Sequence, residues 1–542
     1  MQRIFLLPVL LLFLTGVARA QNFQNQIERI GDRDRNVMLM ELTVSPQAVP
    51  EPALKYPLAW GFDQRVRANA ATKYNMAMRE LAQLRFQHLN QLARELEQKF
   101  NAVLTTPEVF QEKKAALEAF EKELAEMSEA DAERARHEAA LLHQTVAYSH
   151  YCAWPRDRFP MDQAREFVAR FRNAYRHLEE GSRRDFCDWE YPIRGNRDPI
   201  SILLPEVQEI RDLARALQVK ARLEIYEGRY ADAVQTIRVG KTLARHTAET
   251  PIIVSQLVGI AIDGIMNFCL FEMMQQEDAP NLYWSLTAMP GPLFPPTESF
   301  AAEMDWARLM VPELAKAMDT PDEMTDDDWR SLDRTLRNVV DVFVDDFSRD
   351  NNVSGMMPSG LIAYPHAKQW LIEQGHTAEA IEAMPTAKVI GLWSVHRFQV
   401  NRDNVRKVIQ LPFWQLRGGP DVGWEQNDLD NATPLGRFAN LLFPATNAYL
   451  NAVTRANHAH ELMRIVEAIR AHAAVSGGQL PLTLDEIQCV PVPPFDPYSG
   501  KPFDYKIQDG AAVIESDAGH SIIRLVIRLR LSEPGFSQDF QD

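Results

Sequence analysis

Apolar residues recur at spacings of three and four along most of the chain, which predicts a protein built mainly from α-helices. The first clear stripe is followed by Thr106-Pro107-Glu108, which supplies an N-cap, a proline at the first helical position and an early acid. A second stripe follows at heptad-like spacing, so the two long helices are predicted to pair as a charged hairpin. The stripes are Leu89, Leu92, Leu96, Phe100 and Val103, then Phe110, Leu117, Phe120, Leu124 and Met127.

Further helices are predicted to begin near Asp162 and near Pro205. Within 213–244, the turn sequence Gly-Arg-Tyr-Ala-Asp-Ala at 228–233 resembles the helix crossing of a tetratricopeptide repeat. Small residues there let two helices approach closely, while Tyr230 fills the gap beside them. The repeat period does not recur, and a solenoid needs about three repeats. Two interpretations therefore stay open, a repeat-like helical array and an isolated repeat-like helix pair.

The least polar stretch of the chain runs from Ile252 to about Met274. Its length approaches that of a membrane span, but polar residues interrupt it, so it is predicted to be a central buried helix of a bundle. A carboxylate at Asp263 would then be partly buried and would need a partner. One interpretation is a structural ion pair with Arg238 or Arg245, and the other is a functional acid.

The pattern changes near Gly477, where Pro-, Gly- and strand-forming residues replace the helical period. Gln508-Asp509-Gly510 is a hairpin turn signal between two short predicted strands. The sequence therefore predicts a mainly α protein, a multi-helix bundle or repeat-like helical array with a small C-terminal α+β module. The predicted parts are a signal peptide (1–20), an extended N-terminal arm (21–60), a helical domain with the long hairpin and the repeat-like pair (61–295), a second helical region (296–455) and the α+β module (456–530).

The C-terminal segment, about 60 of the 542 residues, resembles the head of the type II secretion major pseudopilin. The shared features are a helix, Gly-x-x-Pro at 478–481, Asp-Pro-x-x-Gly-x-Pro-Phe-x-Tyr at 496–505, and a strand followed by Asp-Ala-Gly at 517–519. The resemblance implies a small helix-plus-sheet head, in which a later acidic loop binds calcium. Here only Asp517 stands in the matching place, and no second acidic cluster follows.

The chain also lacks the prepilin-type N-terminus Gly-Phe-Thr-Leu-x-Glu, so it is not itself a pilin. Its arrangement as a whole resembles a group of large, uncharacterised exported bacterial proteins that end in such a module. No known activity comes with that resemblance.

The first twenty residues have the pattern of a signal peptide. Arg3 is followed by an apolar run from Ile4 to Leu14, and Ala18-Arg19-Ala20 predicts cleavage before Gln21. The run is too short for a stable anchor, and no Cys follows the cleavage site to accept a lipid. We therefore expect a periplasmic or secreted protein with no transmembrane segment after signal cleavage.

The charge balance restricts the class of partner. The chain carries 74 Asp+Glu against 58 Lys+Arg, a formal net charge of −16. Nucleic acid and anionic membranes both need a basic face, so neither is expected as a partner. The expected partner is a protein of the cell envelope.

The four cysteines are Cys152, Cys187, Cys269 and Cys489. Export to an oxidising compartment allows disulfides, with three formal connectivities. We favour Cys152 with Cys187, because both lie in Trp-containing loop sequence on either side of one predicted helix, whereas Cys269 lies within an apolar helix. Closing that loop would contribute about 3 to 4 kcal/mol in the chain-entropy model. Two separate buried thiols are the alternative.

Two acidic stretches and two histidine pairs invite a metal search. Residues 350–355 copy the first half of an EF-hand loop, but Pro358 and Leu361 stand at its ninth and twelfth positions. The acids at 322–328 fit capping boxes in a first helical turn. The histidine pairs lack a third ligand at zinc spacing, so no metal and no cofactor are expected. Those pairs are His143 with His150 and His458 with His460.

The sequence contains no nucleophile elbow, phosphate-binding Gly loop or dinucleotide fingerprint. The leading hypothesis is therefore a non-enzymatic cell-envelope scaffold or binding protein. The alternative is a periplasmic hydrolase with a carboxylate-based site between the helical halves, in which Asp263, Asp188 or Glu190 acts as the acid. Two carboxylates with raised pKa in a deep polar pocket would favour the hydrolase, and a broad exposed apolar patch would favour the scaffold.

Overall fold

A computed structural model describes the chain at 24–30, 33–84, 159–190, 204–250, 253–291, 293–295, 305, 308, 311–345, 359–416, 433–442, 445–519 and 521–530. The predicted signal peptide, the predicted long hairpin, Cys152 and the EF-hand-like loop lie outside these residues.

The described residues form a mainly α protein with a small α+β module, which confirms the predicted fold class. The strands are β1 (Gln24–Ile30), β2 (Arg33–Val44), β3 (Val66–Asn69), β4 (Arg184–Phe186), β5 (Asp504–Gln508), β6 (Ala511–Asp517) and β7 (Ser521–Leu529). The helices are α1 (71–84), α2 (Met161–Ser182), α3 (Leu204–Tyr226), α4 (Tyr230–Ala248), α5 (Ile253–Met274), α6 (Tyr283–Thr287), α7 (Pro312–Asp319), α8 (Asp326–Asp345), α9 (Ser359–Glu373), α10 (Ala378–Glu382), α11 (Thr386–Val408), α12 (Phe413–Leu416), α13 (Pro434–Leu442) and α14 (Ala445–Val475).

The chain divides into two compact units, each assembled from separate stretches of sequence. The first unit comprises 1–55, 188–207 and 244–542, and the second comprises 56–187 and 208–243. The boundary predicted in the Pro-rich connector near residue 295 falls inside the first unit. The connector is packed, since Phe294 is buried and the carbonyl of Pro295 accepts a hydrogen bond from Gln256 Nε2 at 3.1 Å.

A five-stranded sheet of order β1-β2-β7-β6-β5 belongs to the first unit. The segment predicted as an extended arm supplies its first two strands, which differs from the prediction. Strand β2 pairs in parallel with β7, and Val44 lies beside Leu529. Met40, Leu42 and Val44 are buried at alternate positions of β2, and this burial is the physical reason that the arm is ordered as a strand.

The hairpin predicted at 508–510 is confirmed. Strands β5 and β6 pair antiparallel, and Gln508 lies beside Ala511. The two connecting residues have positive φ, 50° at Asp509 and 72° at Gly510. Positive φ at both central positions defines a type I′ turn, whose twist matches that of the flanking strands.

Helix α5 is buried, as predicted from its apolar sequence. Among the described residues it is the one helix long and apolar enough to cross a membrane, and 83% of its most apolar window is buried inside the protein. A Cβ at Gly259 would lie 2.5 Å from the carbonyl oxygen of Ala244, so glycine permits the close approach to the end of α4. Tyr449 of α14 donates a hydrogen bond to Gln256 of α5.

A fully buried ion pair lies on α14, where Arg470 Nη1 is 2.9 Å from Glu467 Oε2. The same guanidinium donates to the carbonyl oxygens of Ser45 at 3.1 Å and Ala279 at 2.7 Å. Burial raises the pKa of Glu467, while Arg470 and the backbone N–H of Leu282 oppose that rise. One arginine thus joins α14, the end of β2 and the loop before α6.

The helices α7 to α13 lie in the region predicted as the second helical part. Trp329 of α8 is buried against α11, where a Cβ at Gly391 would lie 2.5 Å from the indole ring. Only glycine therefore allows this contact without displacement of the ring. A cluster that includes Ala363, Leu371 and Trp393 packs α9 against α11.

The second unit contains α3 from residue 208 onward and the first part of α4, joined at the predicted turn. Gly228 has a φ of 72°, and the N–H of Arg229 donates to the carbonyl of Glu224 at 2.8 Å, as in a glycine-terminated helix. The likeness to a tetratricopeptide repeat stays a prediction. The same unit holds a two-stranded parallel sheet, β3 with β4.

Candidate functional site

Asp263 is buried in the middle of α5 and is 2% exposed. Asn267, one turn further along, donates to Asp263 Oδ2 at 2.9 Å. The two suggested arginine partners make contacts of their own. Arg238 lies over the ring of Trp60, and Arg245 Nε is 3.8 Å from Glu249. The predicted burial and hydrogen-bonding partner of Asp263 are therefore present, and its role as a catalytic acid stays a prediction.

Asp188 and Glu190 follow β4 and are exposed to solvent, whereas Asp263 is buried. Asp188 Oδ1 accepts a hydrogen bond from the backbone N–H of Glu190 at 2.8 Å. This local turn accompanies a φ of 56° at Glu190. The carboxylate of Asp188 thus has a structural task in its own loop.

Only one of the two cysteines of the predicted disulfide lies in the described part of the chain. Cys187 is 5% exposed at the end of β4, and Cys152 lies outside the described residues. Its pairing with Cys152 stays a prediction. Cys269 is buried in α5 and Cys489 is exposed.

Asp517, the residue placed by the pseudopilin resemblance at a calcium loop, is bound by an arginine. Arg35 Nη2 donates to Asp517 Oδ1 at 2.6 Å and to the carbonyl oxygen of Gly519 at 2.8 Å. The guanidinium of Arg35, on β2, therefore binds carboxylate and carbonyl oxygens, which are the kind of ligand that calcium binds. Over the residues that the structure describes, no group of three or more His, Cys, Asp or Glu side chains could hold a metal ion.

His458, Ser516 and Asp496 meet in the core between α14 and the C-terminal sheet. His458 Nε2 is 2.8 Å from Ser516 Oγ and 4.0 Å from Asp496 Oδ1. A catalytic triad places the serine and the carboxylate on opposite ring nitrogens, whereas here both face Nε2. The imidazole is 2% exposed, and burial lowers its pKa to about 3. This group is therefore a structural core that anchors the Asp-Pro-x-x-Gly loop.

The acidic stretch at 322–328 contains the predicted helix cap. The Thr325 hydroxyl accepts from the N–H of Asp328 at 3.2 Å, and Asp328 Oδ2 accepts from the N–H of Thr325 at 2.8 Å. Lys316 is 2.9 Å from the same carboxylate. The hydrogen bond from Lys316, followed by those from Thr325, lowers the pKa of Asp328 to about 2. The capping interpretation is confirmed for this pair.

A cluster that the sequence analysis did not single out lies in the second unit. We call Trp60, Arg183 and Arg238 the arginine–tryptophan cluster. The guanidinium carbon of Arg238 lies 3.8 Å from the centroid of the indole ring, and that of Arg183 lies 4.8 Å away. Both distances are within the range of a cation–π contact. Trp60 Nε1 donates to Ser182 Oγ at 3.1 Å, which fixes the indole at the end of α2.

The neighbours of the cluster only partly balance its charge. Glu179 Oε1 accepts from Arg183 Nη2 at 2.6 Å and from Gln235 Nε2 at 3.2 Å. Arg238 is 7% exposed, and burial followed by the positive charge of Arg183 lowers its pKa. Two guanidinium groups thus share one indole and one neighbouring carboxylate.

Three apolar side chains of the same unit, Phe62, Val66 and Phe186, are exposed, and we call them together the apolar patch. Their exposures are 88%, 54% and 45%. Val66 lies beside Arg184 in the β3–β4 ladder, and Phe186 is two residues further along β4. Phe186 itself pairs with Asn69, and the register of the ladder is irregular between Val66 and Asn69.

The chain matches no protein-family model, no curated protein and no solved structure. The function is therefore inferred from the residues of the two units themselves.

Proposed function

We propose that this protein is a non-enzymatic scaffold or binding protein of the cell envelope, located in the periplasm or secreted, and that its partner is another envelope protein. The apolar patch of Phe62, Val66 and Phe186 supports this proposal most directly. A phenylalanine that is 88% exposed gains free energy when a partner covers it.

Two of the three carboxylates nominated as catalytic acids add support, because each of these two has a structural task. Asp263 accepts from Asn267 within a buried helix, and Asp188 accepts from the backbone of Glu190. A general acid needs an accessible proton within reach of a substrate, which a carboxylate in the core of α5 does not offer.

Cross-linking in the envelope fraction, followed by mass spectrometry, tests the proposal. The unsubstituted chain should capture a defined protein, and the double variant Phe62→Ser, Phe186→Ser should lose it. Leu482→Ser is the matched control, because Leu482 is also exposed, at 69%, but belongs to the first unit. Equal capture by the double variant and the unsubstituted chain would contradict the role of the patch.

One observation favours a carboxylate-based hydrolase as the second candidate. Burial raises the pKa of Glu461, whose side chain is 24% exposed. Arg464 lies 2.8 Å from that carboxylate and also donates to the hydroxyl of Tyr283 at 3.3 Å. A hydrolase of this kind should lose its activity on esters or glycosides in Glu461→Gln. Undetectable turnover by the unsubstituted chain would remove this candidate.

A further inference from the structure

The buried guanidinium of Arg238 has a donor, Nε, that lacks a hydrogen-bond partner among the described residues. Arg238 is 7% exposed. Arginine stays charged at physiological pH and has five N–H donors to satisfy. A buried charge with an unsatisfied donor is costly, and the face of Trp60 offsets that cost only in part.

The second arginine of the cluster adds a further positive charge next to Arg238. Arg183 lies over the same indole, and its Nε is also buried without a hydrogen-bond partner among the described residues. Glu179 neutralises one positive charge and already accepts from Arg183 and Gln235. Burial raises the pKa of Tyr175, so this phenol is neutral at neutral pH. The charged neighbours that act on Arg238 are then Arg183 and Glu179, and the cluster keeps an excess of one positive charge.

We infer that the arginine–tryptophan cluster is a binding site for an oxyanion, a phosphate or carboxylate group on a small ligand. Guanidinium groups present a planar fork of donors that matches the oxygens of both groups. The indole of Trp60, held by Ser182, keeps the Arg238 fork in one plane before the ligand arrives. The side chain of Arg183 is 44% exposed, which gives the site its opening to solvent.

This inference rests on the proposed function, because it names a ligand class for the unit that we propose to be a binding module. The two sites use different side chains. The partner patch is apolar, whereas the oxyanion site depends on the two guanidinium groups. Variants of one site can therefore be scored without altering the other.

Isothermal titration of the full chain at low ionic strength, with inorganic phosphate and separately with acetate, tests the inference. We expect at least one anion to bind with a Kd of about 1 mM or tighter. Arg238→Gln should weaken that binding about tenfold or more, as expected for a lost charged hydrogen bond. Arg238→Lys should also weaken it, because lysine keeps the charge but loses the fork. Preference for one anion would identify the ligand chemistry.

Arg170→Gln is the matched control. Arg170 lies on α2 and, like Arg183, pairs with a glutamate one turn away, and its side chain is 40% exposed. Its substitution should leave the anion affinity unchanged. If circular dichroism shows that Arg238→Gln does not fold, Arg183→Gln takes its place and should weaken binding.

Two results would overturn the oxyanion site. One is no heat of binding with either anion, and the other is unchanged affinity in the folded arginine variants. Either result with partner capture intact would remove this inference alone. Loss of capture in the apolar variants with anion binding intact would remove the partner surface alone.

Discussion

The buried imidazole of His458 makes the stability of the first unit depend on pH. The ring is 2% exposed and lies against Ser516, Tyr498 and Phe503, with ring centroids 5.0 and 5.9 Å from those of the two aromatic residues. Asp496 is 4.0 Å away, too far for a hydrogen bond, so burial sets the direction of the shift. The pKa falls from 6.5 to about 3. The folded protein therefore holds His458 neutral.

The unfolded chain takes up a proton on this histidine below pH 6.5, whereas the folded chain does not until about pH 3. The contribution to stability is fully present above pH 6.5 and is lost as the pH falls through that window. At pH 5.0, one and a half units below the unfolded pKa, the loss is about 2 kcal/mol at about 1.4 kcal/mol per unit.

Urea unfolding at pH 7.5 and pH 5.0 measures this loss. His458→Gln should be less stable at pH 7.5, because it loses core packing, but its own decrease on acidification should be about 2 kcal/mol smaller than that of the unsubstituted chain. His376→Gln, at an exposed position, controls for the loss of a histidine as such. An identical decrease in the unsubstituted chain and in His458→Gln would refute the assignment of a neutral buried imidazole.

Three further predictions concern the buried ion pair, Asp263 and the disulfide. Arg470→Met should lower the free energy of unfolding by about 3 to 5 kcal/mol, because it leaves the Glu467 carboxylate buried without its ion-pair partner. The double variant Glu467→Leu, Arg470→Met should recover part of that loss. In thermal melts, Asp263→Ala should lower the free energy of unfolding by about 3 kcal/mol or more, and Asp263→Asn should lower it less. An unchanged melting temperature in both variants would mean that the carboxylate is solvated. Non-reducing peptide mapping should find Cys152 joined to Cys187, and alkylation of both thiols in the intact protein would exclude that bond.

Structural elements that depend on neighbouring residues could be predicted from the sequence. The turn at Asp509 and Gly510 was predictable because adjacent residues with a tolerance for positive φ fix a type I′ hairpin. The cap of Thr325 with Asp328 was predictable for the same reason, since its donors and acceptors are three residues apart. Helix α5 was recognisable from composition alone.

Only the C-terminal part of the five-stranded sheet was predicted from the sequence. Strand β2 carries apolar residues at 38, 40, 42 and 44, a period of two that marks a strand. The four prolines that follow in 46–57 suggested an arm instead, and β1 has few apolar residues because it is an edge strand. Its partner β7 lies 485 residues away, a pairing that no local pattern specifies.

The arginine–tryptophan cluster was outside the reach of motif analysis. Trp60 lies in a loop, Arg183 follows the end of α2, and Arg238 lies within α4. Their contact depends on how three elements pack, and no spacing rule links them. A buried arginine in an amphipathic helix was the available signal, but the sequence suggested Arg238, or Arg245, as a possible ion-pair partner of Asp263.

The parallel pairing of β2 with β7 has a consequence for how the protein is made. A ribosome or an export channel releases β2 long before β7, because paired positions are 485 residues apart. Until β7 arrives, the hairpin β1–β2 presents an open edge and its buried face of Met40, Leu42 and Val44 to the surroundings. Completion of the first unit must therefore wait for almost the entire chain, and incomplete chains should depend on chaperones that shield strand edges.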